Sequence, residues 1–447
     1  MAATNADVIG GQFEKVRPKL QEWYETTTLV SGLIRKASES HKISTFAAAA
    51  GITGSGDGNL SAFRVPIMRY VGGDYGTFSY DEGDLGGGSS MKLDYMSIGY
   101  FPAEYAVEIS SLAKEATASS EQAVVDVFKY HLKKSMKEMQ GFEDTGYHQD
   151  GTGVLATGNG TGTPGTSSPM TYNLEPNFGP QRLRYNQPVD IFSNDLTTAR
   201  NSGGPCRVAS YDLVGKTVSL TFPGAVTLSG TANTDKICFR GMAATVSVGS
   251  WKNGMYTFNN SATSGTTLGL NRATVVEIVT PNVAAGTTPL VPAHGLLLND
   301  QIIQRRDEEA VAGMVGILHQ SQRAAIYFTG IAISEWHRGP SDKMIDIVPT
   351  DIKQSTQVTW TGIKHYVSKK QDRSRIDWII PKNWGRAMLH DLKFHEVEGR
   401  RIFELRSATT GFPKAGMTFY LIQTENVYNV DPGASGMITS LSLPSGY

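Results

Sequence analysis

Between Leu60 and Tyr105 the apolar and polar positions alternate in a way that predicts a long β-hairpin. Phe63, Val65 and Ile67 alternate with Arg64, Pro66 and Met68, a period of two that reads as a strand. Pro66 has no N–H to give to a ladder, which puts that strand at a sheet edge. Thr77–Tyr80 and Met91–Tyr100 are further extended runs on either side of the tip Asp81-Glu82-Gly83-Asp84-Leu85-Gly86-Gly87-Gly88, whose glycines permit positive backbone angles. A two-stranded arm of this length cannot bury Tyr70, Tyr75, Phe78, Tyr80 and Tyr95 on itself, because isolated hairpins are marginal in water. It requires another surface, and a second chain is one way to supply it.

Helical periodicity appears in other places. Phe13, Val16, Leu20, Trp23 and Tyr24 share a face between charged positions, predicting an amphipathic arm that packs either on its own subunit or on a neighbour. From Ser119 or Ser120 to Met139 the stripe Val124, Phe128, Leu132, Met136 and Met139 predicts a long one-sided helix, opened by a capping box (Ser119, Gln122) and stopped at Gly141. Gly151–Pro169 is Gly/Thr/Ser-rich and reads as a linker near a boundary. Short extended runs from Leu183 to Arg240 predict a small inserted β module. Beyond it, helices are expected over Pro292–Arg306 and around Glu308–Ile317, with strands at Thr356–Val367, Ile376–Ile380, Phe419–Val430 and Met437–Leu443. The fold class is therefore α+β, with an arm over 1–55, a hairpin over 56–105 and an inserted β module over 180–243.

Composition narrows the function classes. At 447 residues the chain exceeds what one core supports, and 48 glycines favour turn-rich structure. The formal net charge of -1 provides no basic field to draw it onto nucleic acid or anionic lipid. Cys206 and Cys238 have no C-x-x-C spacing, which argues against a disulfide scaffold or a cysteine zinc site and fits a reducing cytoplasm. Residues 1–11 lack the pattern of a signal peptide and no run reaches membrane-spanning length, so a soluble protein without membrane attachment is expected.

Tests for chemistry fail one by one. Gly160-x-Gly162-x-x-Gly165 fits a dinucleotide fingerprint as a string, but Pro164 and Pro169 occupy the positions where the helix would run. Gly215-Lys216-Thr217 lacks the first glycine of a phosphate loop, since position 210 is Ser210. There is no G-x-S-x-G, and His395-Glu396 has no second histidine at the zincin spacing. Asp81, Glu82 and Asp84 are too few for a calcium loop. No cofactor, metal site or catalytic residue is expected.

The order of arm, Gly-tipped hairpin, long helix, Asp150–Ala156, inserted β module, α+β region and closing strands resembles the major capsid proteins of tailed bacteriophages, the Hong Kong ninety-seven type of fold. The segment Thr361-Gly362-Ile363-Lys364-His365-Tyr366-Val367, followed by Asp372–Arg375 and Ile376–Trp384, is similar to the strand, basic turn and strand that lead from that family's axial domain back to its peripheral domain. Family members often have proline where this chain has Lys364, and the β insertion is not universal.

The resemblance implies a peripheral domain over 106–170, with a spine helix, and again over 376–447, an axial domain over 244–375, and a structural subunit forming hexamers and pentamers of an icosahedral head around double-stranded DNA, which it contains without reading its sequence. It implies a portal protein and a decoration protein as further partners, and a virion capsid made in host cytoplasm. The short region before the hairpin points to a separate scaffolding protein. Contacts between subunits are expected at Trp23 of the arm and at Arg64, Arg69, Tyr75, Phe78, Tyr80, Asp81, Glu82, Asp84 and Lys92 of the hairpin, with Arg64 and Arg69 facing a neighbour's acidic tip. Lys92 is the residue to consider for a covalent crosslink, although nothing near it in sequence activates it. A tail or baseplate protein is the competing structural reading, and an enzyme acting on polysaccharide a third.

Overall fold

The computed structural model describes residues 29–38, 63–70, 90–110, 135–160, 168–177, 179–222, 226–241, 250–306, 312–326, 357–406 and 413–443. The arm with Trp23, the distal hairpin residues Tyr75, Phe78, Tyr80, Asp81, Glu82 and Asp84, and the expected helix over 119–134 lie outside the described residues. The chain forms two compact units. Gly99–Tyr147 and Gly385–Val427 belong to one, together with the helix Leu29–Ser38; Arg64–Ile98, His148–Trp384 and the C-terminal segment from Tyr428 belong to the other.

The first unit is built on a four-stranded sheet. Its longest strand, Pro413–Asn429, pairs antiparallel with Phe101–Ser110 on one side and with Phe403–Arg406 on the other, and Trp384–Phe394 completes the sheet. Val107, Phe419, Leu421 and Phe394 form its buried face, and Met136 and Met139 close over them from a helix spanning 135–147. That helix runs through Gly141, where a stop was expected. It continues because Glu143, Asp144 and Tyr147 are all buried and bonded, and tertiary partners outweigh the modest helix penalty of one glycine. Asp144 Oδ1 accepts from the N–H groups of Val30 (3.1 Å) and Ser31 (3.3 Å), satisfying free donors in the first turn of Leu29–Ser38.

The second unit holds a closed barrel. Val154–Thr157, Lys236–Phe239, Pro188–Phe192, Cys206–Asp212, Thr217–Thr221 and Met170–Asn173 are neighbours in that order, every pair antiparallel. The two end strands meet: Asn159 N–H donates to the Asn173 carbonyl (2.9 Å) and Glu175 N–H to that of Thr157 (2.8 Å), around a bridge between Gly158 and Leu174. Closure removes both sheet edges, where unpaired backbone would otherwise face solvent. Ala156, Met170, Tyr172, Val189, Ile191, Cys206, Val208, Val218, Leu220 and Ile237 are buried in it. The barrel therefore starts at Val154, before the 180–243 window that the sequence suggests. Part of the Gly/Thr/Ser-rich stretch is strand, with Leu155 and Ala156 as its buried positions.

The unit's second sheet is mixed and six-stranded, in the order Asn282–Ala284, Gly436–Thr439, Ile376–Ile379, Val315–Leu318, Ile363–Val367, Gln357–Trp360. Helix Pro292–Arg305 begins with Pro at its first turn, as expected, and buries Leu298 and Ile302 in this sheet's core with Trp360, Trp378, Ile376 and Ile438. The helix expected around Glu308–Ile317 is overturned where the chain is described, because Val315–Leu318 is a central strand, parallel to one neighbour and antiparallel to the other. Its Val-Gly-Ile-Leu run faces cores on both sides, and such a run has no period to separate strand from helix. Gly316 is obligatory there: a Cβ would lie 2.0 Å from His365 Cδ2. With few helices and several sheets, the observed class is α+β.

Candidate functional site

Phe63–Tyr70 and Lys92–Ile98 pair as a two-stranded sheet. One face is used up: Val65, Ile67, Met96 and Ile98 are buried, and Ser97 N–H donates to the Leu268 carbonyl at 2.8 Å. The other face is in solvent. Leu93 (38% exposed) and Tyr95 (51%) sit at alternate positions of Lys92–Ile98, and Met91 (53%) just before that strand continues their apolar stripe. Arg64 and Pro66 are exposed on the facing strand.

Of the residues singled out in the sequence, Arg64, Arg69 and Lys92 are described and lie on this hairpin. Arg69 Nη1 is 3.7 Å from Asp94 Oδ2 on the paired strand, a half-exposed same-chain contact worth little. Lys92 is exposed. The chain leaves the hairpin after Ile98, whereas the alternation suggests that it continues to Tyr105. Tyr105 instead belongs to the four-stranded sheet, where its hydroxyl donates to Glu138 and its ring packs 6.4 Å from Phe142.

The segment Ile363–Trp384 is a structural junction. Arg375 holds Asp377 in a two-pronged pair, Nε to Oδ2 at 2.8 Å and Nη2 to Oδ1 at 2.6 Å, and its guanidinium lies 4.0 Å from the Tyr256 ring centroid. Asp377 also accepts from Asn259 Nδ2 (3.1 Å) and Gln371 Nε2 (2.6 Å). Arg182, from the short 3-10 turn before the third barrel strand in sequence, donates to the Lys370 carbonyl (2.9 Å) and stands 5.7 Å from the Tyr256 ring. Tyr256 is thus held by two cations, and its hydroxyl accepts from Asp372 N–H at 2.9 Å. The turn with its two pairs of neighbours fastens the barrel to the mixed sheet.

The first unit has its own buried ion network, which the sequence reading missed. Arg35 Nη2 reaches Glu143 Oε1 (2.9 Å) and Glu425 Oε2 (3.4 Å), Arg386 Nη1 reaches Glu425 Oε2 (3.1 Å), and Tyr147 donates to Glu425 Oε1 (3.0 Å). Burial and the nearby carboxylates of Glu425 and Glu143 push the Tyr147 phenol well above its ordinary range, so it stays protonated as a donor.

These groups are committed to structure. Burial drives His319 down to about 3 and His365 down to about 4, and pushes both Cys206 and Cys238 up to about 12, so both histidines are uncharged at neutral pH and neither thiol is a ready nucleophile. Among the described residues no group of three or more His, Cys, Asp or Glu is placed to hold a metal ion.

No protein-family model matches the sequence, and no curated protein matches it. Solved structures similar to this chain include capsids and an encapsulin complex. One is the capsid asymmetric unit of cyanophage A-1(L), 8% identical over 86% of this chain and 89% of that one, with a TM-score of 0.47. Another is the capsid of a native GTA particle, 8% identical over 90% and 92%, with a TM-score of 0.42. A third is the holo-SrpI encapsulin complex from Synechococcus elongatus, 7% identical over 91% of each chain, with a TM-score of 0.38.

Proposed function

We propose that this chain is a structural shell subunit, the major capsid protein of a tailed bacteriophage, which assembles with its own copies into hexamers and pentamers of a closed head containing double-stranded DNA. The observation that carries this reading is the hairpin. One of its faces is buried, and the other holds Met91, Leu93 and Tyr95 in water on a two-stranded element. Burying the remaining exposed half of such side chains contributes about 1 kcal/mol each. A subunit surrounded by copies repeats that gain at every interface. The likeness of Thr361–Trp384 to the family's strand, basic turn and strand supports the same reading, as does the way this segment joins barrel and mixed sheet. A separate scaffolding protein, a portal and a decoration protein are the partners such a subunit would use, and no catalytic role is proposed for it.

Expression of the chain, alone and with a scaffolding protein, followed by electron microscopy of the purified material tests this directly. Closed shells are expected. Tubes or rings without shells would favour a tail component, and a stable monomer under all conditions would overturn the reading.

A further inference from the structure

The barrel carries apolar side chains where a hairpin tip is ordinarily polar. Leu213-Val214-Gly215-Lys216 joins the strands Cys206–Asp212 and Thr217–Thr221, and in it Val214 is 90% exposed and Leu213 49%. The turn is fixed from within. Asp212 Oδ1 accepts from Val214 N–H at 2.8 Å, and a Cβ on Gly215 would lie 2.5 Å from Asp212 Oδ2, so glycine leaves room for that carboxylate under the turn. The Lys216 carbonyl accepts from Leu174 N–H (2.8 Å), which ties the tip to the end of the strand Met170–Asn173. Leu213 and Val214 therefore stand in water on a firm support.

Helix Pro292–Arg305 presents a second face of this kind. Leu298 and Ile302 account for its core stripe, yet Leu296 is 58% exposed and Leu297 50%, with exposed Asp300 one turn on from both. A surface helix needs one apolar stripe, and this one has apolar residues on its solvent side as well. The tip and the helix belong to the same unit and both are exposed there, so neither covers the other within one chain. Their free charges are opposite. Asp212 is turned onto its own backbone, whereas Lys216 and Asp300 have no ion-pair partner among the described residues.

We propose that the barrel tip of one copy docks on the outer face of helix Pro292–Arg305 of a second copy, with Leu213 and Val214 against Leu296 and Leu297 and the Lys216 ammonium beside the Asp300 carboxylate. This rests on the shell reading, which surrounds each subunit with copies of itself. The contact joins two different surfaces, so copies follow one another head to tail, an arrangement that closes into rings. Four aliphatic side chains fall far short of the roughly 800 Å² per partner that a stable complex buries, so the contact forms only where other interfaces already hold copies side by side. Free subunits stay apart. The charges choose the partner surface: tip against tip would set Lys216 on Lys216, and helix against helix would set Asp300 on Asp300.

Cys206 and Cys238 are both buried, so Val214→Cys combined with Leu297→Cys supplies the accessible thiols for a cross-linking test. Shells of the double variant, oxidised or treated with a short bis-maleimide, should give a ladder of covalent multimers on denaturing gels, while its free subunits and both single variants stay monomeric. Lys216→Asp should lower shell yield by about threefold or more, and adding Asp300→Lys should restore it. Hydrogen exchange on the wild-type protein needs no variant: peptides covering 211–217 and 293–300 should exchange more slowly in shells than in free subunits. Wild-type shells with unchanged exchange at either peptide, dimers from a single-cysteine variant, or a charge reversal that Asp300→Lys does not rescue would overturn this inference and leave the shell reading standing. So would double-variant shells without a ladder, which, with both peptides protected, would assign the two faces to other occupants such as a scaffolding protein. Failure of the wild type to form shells would overturn the shell reading, and this inference with it.

Discussion

At the scale of single residues, His365 shows how a polar side chain is made part of a core. Its Nδ1 lies 2.9 Å from the Ile363 carbonyl oxygen and its Nε2 2.9 Å from Trp378 Nε1, so the ring donates at Nδ1 and accepts at Nε2 only in the neutral form. Trp360 and Trp378 meet it edge-on at 5.6 and 6.0 Å, and Gly316 leaves room beneath it. Burial depresses its pKa from 6.5 to about 4, with the Ile363 carbonyl opposing the shift. Between those values the unfolded chain binds a proton that the folded chain refuses, so the unfolded state holds more protons and stability rises with pH. The stabilisation from neutral His365 is complete above pH 6.5 and is lost as pH falls toward about 4, a change of about 3 kcal/mol at most. His365→Gln should flatten urea-measured stability between pH 6.5 and 4 by roughly one proton's worth of slope. Identical slopes for variant and wild type would refute it. Nothing in the sequence identifies this histidine as a core residue, because its partners are defined only once the strands pair.

The apolar stripe on the hairpin is an element-scale feature, and so is its test. Met91, Leu93 and Tyr95 are about half exposed in the free subunit, so converting Leu93 and Tyr95 to Ser should change its stability by no more than about 1 kcal/mol each. Shell assembly should fall at least tenfold, read by sedimentation. A variant that assembles normally, or whose free subunit collapses, would show that the stripe serves the subunit's own fold. The hairpin strands and the helix Pro292–Arg305 were legible in the sequence because each carries a local signal: alternation with an edge proline in one, a proline in the first turn in the other. Val315–Leu318, the barrel's closure and the helix Leu29–Ser38 were not. The first has no period, the second depends on Gly158 meeting Leu174, and the third is anchored by Arg35, whose partners Glu143 and Glu425 are 108 and 390 positions away. Its polarity disguises a buried face.

For the whole molecule, charge sets how copies can approach one another. Lysines and arginines number 41 against 42 aspartates and glutamates, so a copy brings almost no net charge toward its neighbours. Association then depends on apolar burial and on short-range pairs that are partly or wholly desolvated. Raising salt from about 0.1 M to about 1 M shortens the Debye length from about 10 Å to about 3 Å, which removes long-range forces between exposed charges but weakens buried pairs much less. Shell yield is therefore expected to change by less than about threefold over that range, equivalent to less than about 0.7 kcal/mol at 25 °C. A steep rise with salt would mean that like-charged surfaces face each other across the interfaces and that net charge hides their separation. A steep fall would mean that exposed ion pairs hold the copies together, which would demote the apolar stripe of Met91, Leu93 and Tyr95 from principal contact to accessory.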